Sequence, residues 1–349
     1  MGILPPRGDP FRLAGRRSLN VPREAGEFER IDRLVRALGD GAVGAIGDDA
    51  AVLPADGHPW AWTVDTLVEG VHFRFDWLDP GDVGHRALAA AVSDLAATAA
   101  RPVGALVAAA VSREAADVLE AVYGGFRTLA GRVGCPVVGG DLTRSEGPLH
   151  LTLTALGRCP GDPLRRSGAR PGDEVWVTGE LGGPAAALGW LAREPAPGFR
   201  DHPVFLRLAR PEPRVSEALW LRERAAALTA GIDLSDGLSG DAGHIARASG
   251  VALRLEAEEI PIHPGARELA ARLHEDVRAW AIHGGEEFEL LLCATPGAIQ
   301  PHAAAFVERF GLPLTRIGRV ERGDGVWMRD ETGAEARLPA LSYDHFRVG

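Results

Sequence analysis

Residues 83–111 read VGHRALAAAVSDLAATAARPVGALVAAAV, and this stretch decides the fold class. Its first part is rich in alanine, the strongest helix former, which predicts a helix from Val83 to Ala100. Arg101 and Pro102 then close it, because proline restricts the residue before it and has no N–H. Gly104 to Val111 follows as an apolar run of strand length. A helix handed directly to a strand, both almost wholly apolar, needs cover from further elements, as in a layered α/β or α+β fold. One residue disturbs the pattern: Asp94 stands inside the helix among apolar neighbours, where a carboxylate needs a partner.

The same alternation continues on either side. Ala50 to Leu53 and Trp60 to Val64 read as strands; beyond Val111 come a helix from about Ala115 to Val133, a strand at Pro136 to Val138 and an alternating strand at Leu149 to Gly157. Upstream, Phe28, Ile31, Leu34, Val35 and Leu38 recur at helical spacing until Gly39 and Gly41, so the fold is expected to start near Glu27. Residues 1–26, rich in Pro, Gly and Arg, are expected to be a poorly ordered extension. The turn formers of Cys159 to Asp173 mark a boundary between an N-terminal domain over 27–158 and a C-terminal domain over 159–349. In the second half, strands are expected at Glu174 to Thr178, Val251 to Leu255 and Phe288 to Ala294, with a helix from Pro184 and a Pro-rich crossover from Pro195 to Pro213. A chain of 349 residues suits two cores.

Composition removes several classes of function. A net charge of -10 argues against a protein that tracks nucleic acid by bulk electrostatics. There is no lysine, so neither a Walker A loop nor the strand lysine of a protein kinase is present, and Schiff-base chemistry is excluded. Cys135, Cys159 and Cys293 lack CxxC spacing and read as reduced core cysteines. No apolar run approaches the roughly 18 residues of a membrane span, and the N-terminus has no signal-peptide core, so a cytoplasmic protein without membrane contact is expected.

The chemistry is carried by acids set among small residues: Gly47-Asp48-Asp49, Val64-Asp65-Thr66, Ser93-Asp94, Gly139-Gly140-Asp141 and Asp233-Leu234-Ser235-Asp236-Gly237. Any one of these alone reads as a helix cap or a turn. Together they offer hard oxygen donors with no cysteine or paired histidine nearby, which suits Mg²⁺ or Mn²⁺ and, through several ions, a substrate of high negative charge. Arg166 reads either as a bidentate phosphate clamp or as a solvated surface arginine. Of Glu286 and Glu287, one is placed to meet a ligand while the other faces solvent, unless the pair is an ordinary loop; His72 alone reads as a packed histidine.

Taken in order, Ile46-Gly47-Asp48-Asp49-Ala50, Asp65-Thr66-Leu67-Val68 with His72-Phe73, Ser93-Asp94-Leu95-Ala96, Gly139-Gly140-Asp141, Arg166-Ser167-Gly168-Ala169, Ile232 to Leu238, Gly284-Gly285-Glu286 and Tyr343-Asp344-His345-Phe346 resemble the bacterial thiamine-monophosphate kinases over residues 27–346. The resemblance implies a two-domain aminoimidazole-ribonucleotide synthetase-like α+β fold, with an N-terminal domain that forms a homodimer through its sheet and a C-terminal domain that closes over the nucleotide. It implies that ATP phosphorylates thiamine phosphate to thiamine diphosphate, the last step in making that cofactor. By motif, Asp49, Thr63, Asp65, Asp94, Asp141, Asp233 and Asp236 resemble Mg²⁺ ligands; Tyr123, Gly140, Asp141, Arg166 and Ser235 resemble ATP contacts; His72, Glu286 and Tyr343 resemble contacts to thiamine phosphate. The attacking phosphate oxygen is largely ionised at neutral pH, so no general base is assigned. Val64 departs from the pattern, which often has a hydroxyl there, and Glu287-Phe288 replaces an Asp-Tyr pair. Within the superfamily, selenophosphate synthetase is opposed by the missing N-terminal catalytic cysteine and by the lack of lysine. A hydrogenase-maturation scaffold would require a C-terminal cysteine, and none follows Cys293.

Overall fold

The computed structural model describes residues 29, 48–53, 55, 57–113, 115–193, 199–225 and 227–339. The 1–26 extension, the helix expected from Glu27 (Glu29 excepted) and Tyr343 lie outside these residues. The first sheet holds β1 (Ala51–Leu53), β2 (Trp60–Val68), β3 (Arg101–Val111), β4 (Val137–Arg144) and β5 (His150–Arg158) in the order β1-β2-β5-β3-β4. Only β3 and β4 pair in parallel, joined through the Leu119–Val133 helix. Residues 159–173 contain no helix or strand. The second sheet holds β6 (Glu174–Thr178), β7 (Leu228–Asp233), β8 (Ala252–Glu256), β9 (Leu290–Ala294), β10 (Leu314–Glu321), β11 (Gly325–Arg329) and β12 (Glu335–Arg337) in the order β12-β11-β8-β10-β6-β9-β7. All its pairs are antiparallel except β8–β11.

Several boundaries differ from the sequence expectation. The helix read as Val83 to Ala100 spans Pro80–Ala97, with proline in its first turn where a missing N–H is harmless. Ala99 then turns the chain at a φ of +54°, and Arg101 and Pro102, expected to close the helix, open β3 instead. The proline is tolerated there because it sits at the start of the strand, where the pairing register with β5 shifts between Pro102 and Gly104. The strand expected at Pro136 to Val138 runs on to Arg144, so Gly139-Gly140-Asp141 lies within a strand. Phe288 adopts a φ of +52°, which delays β9 until Leu290. The crossover expected over Pro195 to Pro213 contains a helix at Pro203–Ala209.

The Pro80–Ala97 helix positions the site. It is buried over most of its length, packed on β2 and β5 on one side and on the Val215–Arg224 helix and β7 on the other. It also crosses the Leu119–Val133 helix with backbones in contact: a Cβ added at Gly84 would lie 1.9 Å from the Val122 carbonyl oxygen, and one at Gly125 2.0 Å from that of Gly81. The opposite face of the first sheet is open. Trp62, Val64 and Leu106 point out from it, 46%, 62% and 46% exposed. Cys135, Cys159 and Cys293 are buried free thiols. Among the described residues, no helix is long and apolar enough to cross a membrane.

Candidate active site

Three carboxylates from three parts of the chain converge. Asp49 precedes β1, Asp94 projects from the buried helix and Asp233 ends β7; oxygens from the three lie within 4.8 Å of one another. The alternation of β2 puts Thr63 and Asp65 on the same face as this helix. Thr63 Oγ1 donates to Asp94 Oδ2, and Ser93 Oγ donates to Asp233 Oδ2 at 2.6 Å. The turn after β7 carries Ser235 and Asp236, and the Asp236 N–H donates to Asp241 Oδ2 at 3.1 Å.

Burial, with mutual crowding behind it, raises the pKa values of these acids. Burial, partly offset by Arg166, pushes Asp49 up to about 7, and burial with the neighbouring charge of Asp236 pushes Asp65 to about 6. Burial takes Asp233 to about 6 despite the Ser93 hydrogen bond, and burial with the charges of Asp65, Asp233 and Asp49 holds Asp94 well above the carboxylate range. Arg166 answers part of this charge: its Nε and Nη2 donate to Asp49 Oδ1 at 3.1 and 2.6 Å, and its backbone N–H donates to Asp48 Oδ1 at 3.0 Å. Its side chain is only 20% exposed, so the solvated-surface reading of Arg166 is overturned. Asp49 Oδ2 is buried with no hydrogen-bond partner among the described residues. A buried, unpartnered carboxylate oxygen beside two further carboxylates is a costly arrangement without a cation, and the all-oxygen donor set fits a hard divalent ion.

Tyr123, Gly140 and Asp141 come together elsewhere. They line a cavity of about 750 Å³ between β4 and the Leu119–Val133 helix, with Phe126 and Pro136 among its apolar walls. Gly140 has a packing reason of its own, since a Cβ there would lie 1.9 Å from the Val107 carbonyl oxygen across the β3–β4 pair. Strands β2 and β4 are separated by β5 and β3, so Asp65 and Asp141 of one chain stand ~14 Å apart across the sheet at ~4.8 Å per spacing. Asp141 pairs with Ala108, Thr152 and Thr66 along one rung, on the open face, whereas Asp65 faces the helix. One metal ion, ~2.1 Å from its ligands, cannot touch both.

His72 and Glu286 are linked by a residue that sequence reading missed. Arg86, on the buried helix, pairs with Glu286 Oε2 and donates from Nη2 to the His72 carbonyl oxygen at 3.3 Å. The His72 ring is turned by its Nδ1 accepting the Val68 N–H at 2.9 Å. Glu286 holds a φ of +65° while its N–H donates to the Ser235 carbonyl at 2.7 Å, which ties the Gly284 to Phe288 loop to the turn after β7. Glu287 does not face solvent as one acid of the pair was expected to. It is buried, accepts the Gly182 N–H and is pushed to about 8 by burial, with Arg207 partly offsetting. Ser93, Asp48 and Asp241 were also missed as supports of the site. For Ser93 and Asp48 the adjacent aspartates were a signal; Arg86 and Asp241 offered none, because their partners lie far along the chain.

Fold and site together define a two-domain α+β protein with a buried carboxylate centre. Residues 47–159 match the model of the AIR synthase related protein N-terminal domain, and residues 170–330 that of the C-terminal domain. Thiamine-monophosphate kinase of Rhodopirellula baltica is 35% identical over 321 residues, covering 89% of this chain and 93% of that one; the Salmonella typhimurium enzyme is 36% identical, covering 92% and 98%. The structure of AaThiL complexed with AMPPCP and TMP superposes with a TM-score of 0.81 at 29% identity, covering 92% and 97% of the two chains. Hydrogenase maturation protein HypE, at 20% identity and a TM-score of 0.67 over 84% and 94% of the two chains, shares the fold alone. The chain belongs to the thiamine-monophosphate kinase family.

Proposed function

We propose that the chain transfers the γ-phosphoryl group of ATP to thiamine phosphate in line, giving thiamine diphosphate and ADP, with Mg²⁺ held by the carboxylate centre. The observation that carries this reading is the cluster of Asp49, Asp94 and Asp233, with an Asp49 Oδ2 unpartnered among the described residues and the guanidinium of Arg166 beside it. Asp65, Asp236 and Thr63 would complete the ligand set from the same side, and Asp141 would hold an ion from β4. When bound, Mg²⁺ would screen the repulsion between two phosphate groups and polarise the one being transferred.

This chain's own residues supply position and charge. Arg166, anchored through Asp48 and Asp49, presents its guanidinium beside the cluster, where it would clamp the transferring group. The apolar cavity beside Tyr123 and Gly140 would seat the adenosine end of ATP. Ser235 would contact ATP from the turn after β7, and His72, Glu286 and Tyr343 would receive thiamine phosphate. The similar structure of AaThiL complexed with AMPPCP and TMP supports the pairing of an ATP site with a thiamine phosphate site.

A homodimer is part of the proposal. The open face with Trp62, Val64 and Leu106 wants cover, and Asp141 lies on that side, so a second copy seated there would bring β4 of one protomer toward β2 of its partner. We place the protein in the cytoplasm, in keeping with its reduced thiols. The deciding assay mixes the purified chain with ATP, Mg²⁺ and thiamine phosphate, with free thiamine as control. Thiamine diphosphate is expected only with the phosphorylated acceptor, and absence of that product overturns the reading.

A further inference from the structure

We propose that Arg86 is the positioning residue of the acceptor pocket: it sets Glu286 and the His72 turn, and so governs affinity for thiamine phosphate without serving ATP. This rests on the reading of His72 and Glu286 as acceptor contacts.

The Arg86 side chain is 3% exposed, whereas Glu286 is 30% exposed. A guanidinium so deep needs a carboxylate, and Glu286 is the one it pairs with. Its remaining bonds go to the carbonyl oxygens of His72 and Leu208, so one planar fork gathers three segments distant in sequence. Glu286 sits in left-handed backbone, a region non-glycine residues seldom hold unless their surroundings impose it. The Ser235 carbonyl fixes its N–H and Arg86 fixes Oε2, while the partly exposed carboxylate keeps Oε1 as an acceptor for N–H groups or positive charge on an acceptor substrate. Among the described residues the hydrogen-bond partners of Arg86 are Glu286, His72 and Leu208, and none is a carboxylate of the Asp49, Asp94, Asp233 cluster, so its direct contacts lie on the acceptor side.

The test is steady-state kinetics of the full chain carrying Arg86→Gln, Arg86→Lys or Arg210→Gln. Arg210 pairs with Asp82 on the same buried helix, Nε to Oδ1 at 2.6 Å, without reaching Glu286, and so reports loss of an ion pair as such. Arg86→Gln is expected to raise KM for thiamine phosphate about tenfold or more while KM for ATP moves by less than about twofold. Arg86→Lys keeps the charge but loses the fork, and should recover part of the loss. Arg210→Gln should leave the ratio of the two KM values where it was. Equal rises in both KM values, or a shifted ratio in Arg210→Gln, overturns the role of Arg86. If Arg86→Gln does not fold, the KM ratio of Arg86→Lys decides alone, an unchanged ratio counting against the proposal. A wild type that makes no thiamine diphosphate is a different result: it defeats the acceptor assignment itself, and the positioning role with it.

Discussion

Ser93 and Asp94 are neighbours on one helix that serve different domains: Ser93 bonds Asp233 at the end of β7, and Asp94 receives Thr63 from β2. Their positions explain why single acids in the cluster should be indispensable. Asp65→Asn is expected to lower turnover by on the order of 100-fold or more while far-UV circular dichroism stays unchanged; near wild-type activity would remove Asp65 from the metal set. The raised pKa values carry a second expectation. Asp49 at about 7 and Asp65 and Asp233 at about 6 all stand above the ordinary 3.8, so protons favour the fold. That stabilisation is full below the unfolded value and is lost as pH rises through about 6 to 7. Mg²⁺ replaces the lost protons, so its addition should raise Tm more at pH 8 than at pH 5, and an equal gain at both would count against cation binding in the cluster. Much of this centre was legible in sequence, because each acid sits in a recognisable small-residue context. Arg86 was not, since nothing near it in the chain hints at Glu286.

At the level of elements, the crossing of the Pro80–Ala97 and Leu119–Val133 helices holds the first domain together around Gly84 and Gly125. Gly84→Ala would drive a methyl into the Val122 carbonyl, and a shift of one helix is required to relieve it. We expect a loss of at least about 1–3 kcal/mol, read as a lower urea midpoint with unchanged m-value; no change would show that the crossing yields freely. Strand ends were the least readable part of the chain. Periodicity located β3, yet the proline expected to end a helix starts that strand, because the turn at Ala99 is made by backbone geometry that alanine does not advertise. The helix at Val215–Arg224 and strands β10 and β11 likewise depend on partners remote in sequence.

For the molecule as a whole, the separation of Asp65 from Asp141 within one first sheet makes assembly a functional matter. If β4 of one protomer serves the centre of its partner, mixing inactive Asp65→Asn and Asp141→Asn chains under exchange should restore on the order of a quarter of wild-type activity, from heterodimers with one intact site each. No recovery would place both residues in the same protomer's site. Leu106→Arg, on the open face and away from the carboxylates, should shift the mass by light scattering to that of a monomer. The layout of two sheets and nine helices among the described residues was foreseeable only as class, because the order of strands within a sheet leaves no local trace.

The helix at Pro80–Ala97 also constrains how such a chain can evolve. It belongs to the first domain by sequence and is packed against the second, into which it sends Arg86 and Ser93. A swap of the second domain for a relative's would leave a buried guanidinium facing whatever the new loop provides. The halves are therefore poor modules: exchange at the seam should succeed only where the donor brings a carboxylate to meet Arg86, and inheritance of the two domains as one piece is what the packing favours.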